Sequence, residues 1–171
     1  MPESQRLLLG EFRRSLDERY RLSIPGELMD QLGIAQSGIE PSESEEAEFT
    51  LAKERPGCLS LWLAEVWKAK LAAGIDLVRS KVRAGKLQEQ LGDVQLLGRL
   101  LSTRHKEVQI AGRGRLLVPE GFREFLRVEP GGDVMVVGAA VCIEIWQPAA
   151  GVEYLDRRMP QFRKLFDKLS G

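Results

Sequence analysis

Histidine is almost missing from this chain. One residue, His105, stands among 171, and only two cysteines, Cys58 and Cys142, accompany it. No Cys-x-x-Cys pair and no Cys/His spacing suited to zinc occurs, so no metal centre is expected. General acid–base catalysis needs a titratable group beside a nucleophile or a second carboxylate. His105 sits instead between Arg104 and Lys106, where exposure is expected and catalysis is not. Long apolar runs are also lacking. The longest, Val134–Ile143, is too short to span a bilayer, and no membrane partner is expected. The N-terminus places Glu3, Arg6 and Glu11 around three leucines, unlike a secretory leader, so the chain reads as cytoplasmic. Net charge is absent too: 25 Lys/Arg balance 25 Asp/Glu. Bulk charge therefore argues neither for nor against nucleic acid.

What is present is a repeat. Leu16-Asp17-Glu18-Arg19-Tyr20-Arg21-Leu22-Ser23-Ile24-Pro25 returns, altered, as Ile110-Ala111-Gly112-Arg113-Gly114-Arg115-Leu116-Leu117-Val118-Pro119, with Arg21 and Arg115 94 positions apart. Each copy reads as turn, short strand, proline at a helix start, then helix. Leu28 and Leu32, and Phe122 and Leu126, keep the four-residue spacing of one helix face. Cys58-Leu59-Ser60-Leu61-Trp62 then answers Cys142-Ile143-Glu144-Ile145-Trp146 at 84 positions. About ten extra residues must therefore lie in the first half. Ser37 to Glu48, with five Glu and no Lys or Arg, is where they are expected, as a loop too polar to bury. The two repeat-equivalent cysteines are expected to be small core residues.

Each half reads as strand, turn, strand, helix, hairpin and trailing helix. Strands are expected over Leu7–Leu16, Arg21–Ile24, Phe49–Ala52, Cys58–Leu63, Val108–Ile110, Leu116–Val118, Val134–Val137 and Val141–Trp146. Leu22 and Ile24 alternate with Arg21 and Ser23, giving one apolar face. Helices are expected over Gly26–Gly33, Ala64–Ala72 (Leu63, Val66, Trp67 and Leu71 inward) and Gly121–Leu126. One or two more connect the halves over residues 76–103. A C-terminal helix carries Val152, Leu155, Met159, Phe162, Leu165 and Leu169, kinked or split at Pro160. Neither half is long enough for a comfortable core. The two should interlock into one mostly β body that buries Leu22, Ile24, Leu61, Leu116, Val118 and Ile145.

These motifs resemble the MraZ family, regulators of the bacterial division and cell-wall gene cluster. The resemblance rests on Gly10-Glu11-Phe12, on residues 16–25, on Gly57-Cys58-Leu59-Ser60-Leu61 and on Trp67. In the second half it rests on residues 114–119, Arg123-Glu124 and Ile143-Glu144-Ile145-Trp146. It implies an α+β fold with a mostly β core. Two pseudo-repeated AbrB-like swapped-hairpin units would form one shared barrel with flanking helices. The halves would be residues 1–75, holding the acidic insert 37–48, and 104–171, joined by a helical connector, 76–103. Three departures stand out: Ala111 occupies the second Asp position, Tyr20 stands where the family has Gly, and the acidic insert is atypical.

The family implies a non-enzymatic, sequence-specific DNA-binding repressor in the cytoplasm and nucleoid. It would dock hairpins of a ring-like homo-oligomer on repeated promoter elements, with no cofactor and no small-molecule substrate. The candidate DNA contacts are Arg14, Arg19 and Arg21 around the first turn and Arg113 and Arg115 around the second, with Asp17 bracing the first. A two-stranded ribbon fits the major groove, and arginine can clamp phosphate or bond guanine with two donors. Residues 99–127 hold seven Lys/Arg against three Asp/Glu, and Arg104 and Lys106 extend the second cluster into a basic strip. The residues alone also allow solvated edge charges, or an Arg21 paired either to Asp17 or to an acid of a neighbouring subunit. Gly112-Arg113-Gly114-Arg115 lacks the Lys-Ser/Thr and the following helix of a phosphate loop. The alternative is an assembly protein that keeps the fold and has lost operator recognition.

Overall fold

The computed structural model describes residues 7–32 and 47–171. Most of the acidic insert lies outside them; its last two residues, Ala47 and Glu48, already belong to a strand. Strands β1 (Glu11–Ser15), β2 (Arg21–Ser23), β3 (Ala47–Arg55) and β4 (Cys58–Leu63) come from the first half. Strands β5 (His105–Ala111), β6 (Arg115–Leu117), β7 (Asp133–Gly138) and β8 (Ile143–Trp146) come from the second. They form one antiparallel sheet in the order β1-β7-β8-β4-β3-β5-β6-β2. Its two outer strands are consecutive in the chain. The turn between them is closed by Asp17 N–H to Arg21 O at 2.9 Å and Tyr20 N–H to Asp17 O at 3.0 Å. The sheet is thereby curled into a nearly closed barrel.

The halves exchange strands. β1 leaves its own half to pair with β7, and β5 does the same with β3. Across β2 and β6 Leu22 faces Leu116; across β4 and β8 Ser60 faces Glu144. Each of these residues thus meets its own repeat equivalent, which places an internal pseudo-twofold axis through both pairs. Arg14 opposite Val134 corresponds to Val108 opposite Phe49. The β3 and β7 strands therefore match at 85 positions, not 84. Nine of the ten extra residues precede β3. The tenth is Glu54, the unpaired residue where the β3–β4 register shifts between Lys53 and Arg55. A bulge adds one residue to one strand only, so the insert does not hold all ten.

The barrel interior is the main core. Leu22, Ile24, Leu61, Leu116, Val118 and Ile145 are all buried there, with Leu51, Phe49, Val134 and Val136. Short helices α1 (Gly26–Gln31) and α4 (Arg123–Leu126) add Leu28 and Leu126 to it. Pro25 is the cap of α1. Pro119 instead opens a turn, its carbonyl accepting from Phe122 N–H, and α4 begins four residues later.

Unlike a strand with one solvated face, β4 is buried on both. Its outer side is covered by α2 (Ala64–Arg83), whose Trp67 packs on Trp62 and Cys142. On β8 the cover is α5 (Pro148–Arg158), whose Tyr154 stacks on Trp146. Helix α2 runs to Arg83, far beyond Ala72, and Val66 is exposed on it, not turned inward. Helix α3 (Leu91–Arg104) follows, so two helices join the halves. Pro160 sits in a 3-10 turn that separates α5 from α6 (Phe162–Ser170). The expected split occurs because proline removes the N–H that a continuous helix would need. His105 is half-buried rather than exposed, its ring 5.5 Å from Trp67. Both cysteines are buried and unpaired, and burial pushes the Cys142 thiol up to about 12.

A polar strip crosses the outer face at the pseudo-twofold axis. Trp62 Nε1 donates to Ser60 Oγ at 2.8 Å, and Ser60 Oγ donates to Glu54 Oε1 at 2.7 Å. In the second half Trp146 Nε1 donates to Glu144 Oε1 at 3.2 Å. The bulge residue Glu54 thus supplies a carboxylate where the first strand has only a hydroxyl. Burial raises the Glu144 pKa above the usual value; the Trp146 donor opposes this and the Glu54 carboxylate adds to it. A folded pKa above the unfolded one means that the native state binds the proton more tightly. Stability from this group is full below the unfolded value and declines as pH rises toward the folded one. Glu144→Gln keeps an acceptor for Trp146 and removes the charge. Urea midpoints should rise slightly at pH 8 and change little at pH 4, with a gain under about 1 kcal/mol because the group is partly solvated. An unchanged pH dependence would contradict this.

Candidate nucleic-acid interface

The first turn is built around one carboxylate. Asp17 Oδ1 accepts the backbone N–H of Arg19 at 2.8 Å and of Arg21 at 2.9 Å, while Oδ2 accepts Arg21 Nε at 3.1 Å. This is the local side chain-to-backbone bonding that makes Asp a turn former. The Arg21 N–H is the largest of the influences that lower the Asp17 pKa. The brace therefore survives mild acid and is lost only as pH falls through that lowered value. Tyr20 completes the turn in the left-handed region at φ 59, where a side chain is unfavourable.

The second turn, Gly112–Gly114, has no acid because Ala111 stands at the Asp position. Gly114 takes the Tyr20 role at φ 74, and Arg113 is also left-handed at φ 67. The two turns lie at opposite ends of the β2/β6 pair, since Arg21 faces Leu117 and Ser23 faces Arg115. Each turn holds the other half's strand: Val118 N–H donates to Tyr20 O at 2.9 Å, and Ile24 N–H donates to Gly114 O at 2.8 Å.

The five candidate arginines do not form one cluster. Arg19 lies exposed in the first turn, and its side chain makes no ion pair among the described residues. Arg21 and Arg115 line one open hollow of about 340 Å³ on the outer face of β2 and β6, together with Asp17, Ser15 and Ser23. Arg113 is exposed on the distant second turn. Arg14 points to the other face of β1 from Arg13, its guanidinium 5.7 Å from the Phe12 ring and bonded to Arg13 O. Arg13 pairs with Asp133 at 3.0 Å. Arg104 does not join Arg113 and Arg115 in a strip. It is held at the other end of β5, donating to Lys53 O at 2.9 Å and lying 3.7 Å from Glu54.

One further residue belongs to this region. Arg123 of α4 places its guanidinium carbon 4.2 Å from the centroid of the Tyr20 ring, and its Nε donates to Val118 O at 2.8 Å. Tyr20 and Arg123 are far apart in sequence. Their meeting follows from strand exchange, which no local pattern discloses. The only signal was the bulky residue at a glycine position. As chemistry, the first turn offers guanidinium donors on a stiff ribbon, suited to phosphate oxygens or base edges.

Comparison with known proteins finds relatives of one description. Residues 102–168 match the MraZ family, described as an antitoxin-like MraZ protein. The chain is 26% identical over 163 residues to "Transcriptional regulator MraZ" of Heliobacterium modesticaldum, covering 95% of this chain and 96% of that protein. The proteins of the same description from Moorella thermoacetica and Thermoanaerobacter sp. are each 24% identical over the same shares. A solution structure titled PHS018 from Pyrococcus horikoshii aligns over 82% of this chain and 90% of that one at 9% identity. Its TM-score of 0.32 is too low to bear on the fold. The ordered repeat and the near-complete alignment make this chain similar to these MraZ regulators along almost its whole length.

Proposed function

We propose that this protein is a sequence-specific DNA-binding transcriptional regulator, not an enzyme. Its first turn reads repeated elements near a promoter, and occupancy represses transcription. The observation that carries this reading is the first turn itself: Asp17 holds it rigid while Arg19 remains exposed and without an ion pair among the described residues. Similarity to proteins named transcriptional regulators supports the same reading. In it Arg19 and Arg21 are the principal contacts and Arg14 assists at phosphate. Arg113 and Arg115 act as secondary contacts, because their turn lacks an acidic brace.

A ring-like homo-oligomer is part of the proposal. Helix α6 carries Phe162, Leu165, Phe166 and Leu169 on one face, all more than half exposed. Such a stripe is unusual on a monomer surface and fits contact with a second copy. Several linked turns raise effective concentration and can strengthen binding by factors on the order of 10²–10⁴. The same stripe is what favours the second reading, an assembly protein without operator recognition.

The test is titration of Arg19→Ala and Arg21→Ala against promoter and scrambled DNA, after light scattering shows unchanged mass. Loss of a phosphate contact should weaken both DNAs alike and reduce the salt slope by about one. Loss of a base contact should cost about 1–3 kcal/mol at one base position. If both variants bind like the parent, the first turn is not the reader and the assembly reading takes its place.

A further inference from the structure

The two turns of the barrel are topological equivalents, yet only one is clamped from outside. At the first, Arg123 of the opposite half lies over Tyr20 at 4.2 Å and bonds Val118 O at 2.8 Å. Val118 N–H in turn donates to Tyr20 O. Carried over by the repeat, the same arrangement at the second turn would need an aromatic ring at Gly114 and a guanidinium at Met29. Neither residue supplies one. The first turn also has the Asp17 brace, which Ala111 removes from the second.

Tyr20 sits in a left-handed conformation that glycine would take without cost. A residue held there needs outside support. The stacked guanidinium provides it and is itself fixed by the Val118 carbonyl. Arg123 is half-buried, and the Tyr20–Arg19–Arg21 segment it supports is exposed or half-exposed. The clamp therefore acts on the direction in which Arg19 leaves the barrel.

We infer that Arg123 is a positioning residue for the first turn, and that its stack on Tyr20 sets the specificity with which that turn reads DNA. This inference rests on the DNA-binding reading above. In it the second half does not merely duplicate the reader; its α4 helix orients the reader of the first half. The Tyr20 departure from glycine is then a gain of rigidity at the reading turn.

Two measurements on the full chain test it, with Arg123→Ala and Tyr20→Gly. The first is hydrogen exchange. The amides of Tyr20 and Arg21, bonded to Asp17, should exchange about tenfold faster in either variant, the loss expected for one stack and one hydrogen bond. The Ile24 amide, held by Gly114 in the unclamped equivalent, should not change. General destabilisation would accelerate all three alike and would overturn the inference. The second is DNA titration. The ratio of promoter to scrambled affinity should fall about tenfold in each variant, with the salt slope unchanged and the double variant no worse than either single one. Equal loss on both DNAs with a reduced slope would mean that Arg123 touches phosphate itself, and would also overturn it. If Arg19→Ala lowers binding while Arg123→Ala moves neither the exchange nor the ratio, this inference fails and the DNA reading stands. If the parent does not discriminate the DNAs, the DNA reading fails and the specificity role falls with it. The exchange measurement still decides whether Arg123 positions the turn.

Discussion

Replacing Leu116 by alanine should lower the unfolding free energy by about 2–5 kcal/mol, the range for truncating a fully buried leucine. Leu116 has no exposure, and it faces Leu22 where the pseudo-twofold axis crosses the β2/β6 pair. The pair is one of the two points at which the halves meet across their own symmetry, the other being Ser60 and Glu144. A cavity there is lined by both hairpins, and neither can collapse without moving the other. The loss would be a large share of the roughly 5–15 kcal/mol that holds a domain folded. Leu22→Ala should cost a similar amount. The double variant should cost less than the sum, because the two side chains share one contact. Urea unfolding followed by fluorescence of the three tryptophans measures all of this. A loss below about 1 kcal/mol for either single variant would mean that the halves have separate cores, since only surface sites behave so mildly.

Gly114→Ala should be the most damaging small change in either turn. Gly114 has φ 74, and an added Cβ would lie 2.7 Å from the Ile24 carbonyl oxygen. Left-handed backbone costs an ordinary residue about 1–2 kcal/mol. The contact adds to that, because backbone cannot swing away as a side chain would. It also threatens the Ile24 N–H bond to Gly114 O, which ties the first half's strand to the second turn. A total loss of about 2 kcal/mol or more is expected, read as a fall in urea midpoint. Tyr20 tolerates the equivalent conformation because it is clamped, so Arg123→Ala combined with Gly114→Ala should be close to additive. The two act at opposite ends of the β2/β6 pair. A neutral Gly114→Ala would show that the second turn relaxes freely and that the two hairpins are not mechanically linked.

The repeat, read from residues alone, was enough to specify much of the molecule. Alternation of Leu22 and Ile24 with Arg21 and Ser23 determined which face of the strand is buried. Recurrence of the motif in order determined that the two halves share one body. Pro160 determined where the C-terminal helix breaks. These are local properties: side-chain alternation and the missing proline N–H act within a few residues. Asp17 and Arg21 also act at short range, and their pairing was legible as one of two possibilities.

The tertiary structure decided what depends on exchange between halves. Which strand pairs with which put Arg104 beside Glu54 and away from Arg113. Pleating sent Arg14 and Arg13 to opposite faces of β1. The tenth extra residue became a bulge at Glu54, because β3 must pair with β4 and β5 together. The acidic insert therefore does not account for the whole difference between the halves. His105 was drawn against Trp67 by helix α2, which runs well past the point where its apolar pattern fades. Tyr20 and Arg123 met for the same reason: a left-handed residue in one half is held by an arginine of the other. Contacts between residues about a hundred positions apart are set by loop closure and shared burial. No local sequence pattern carries that information.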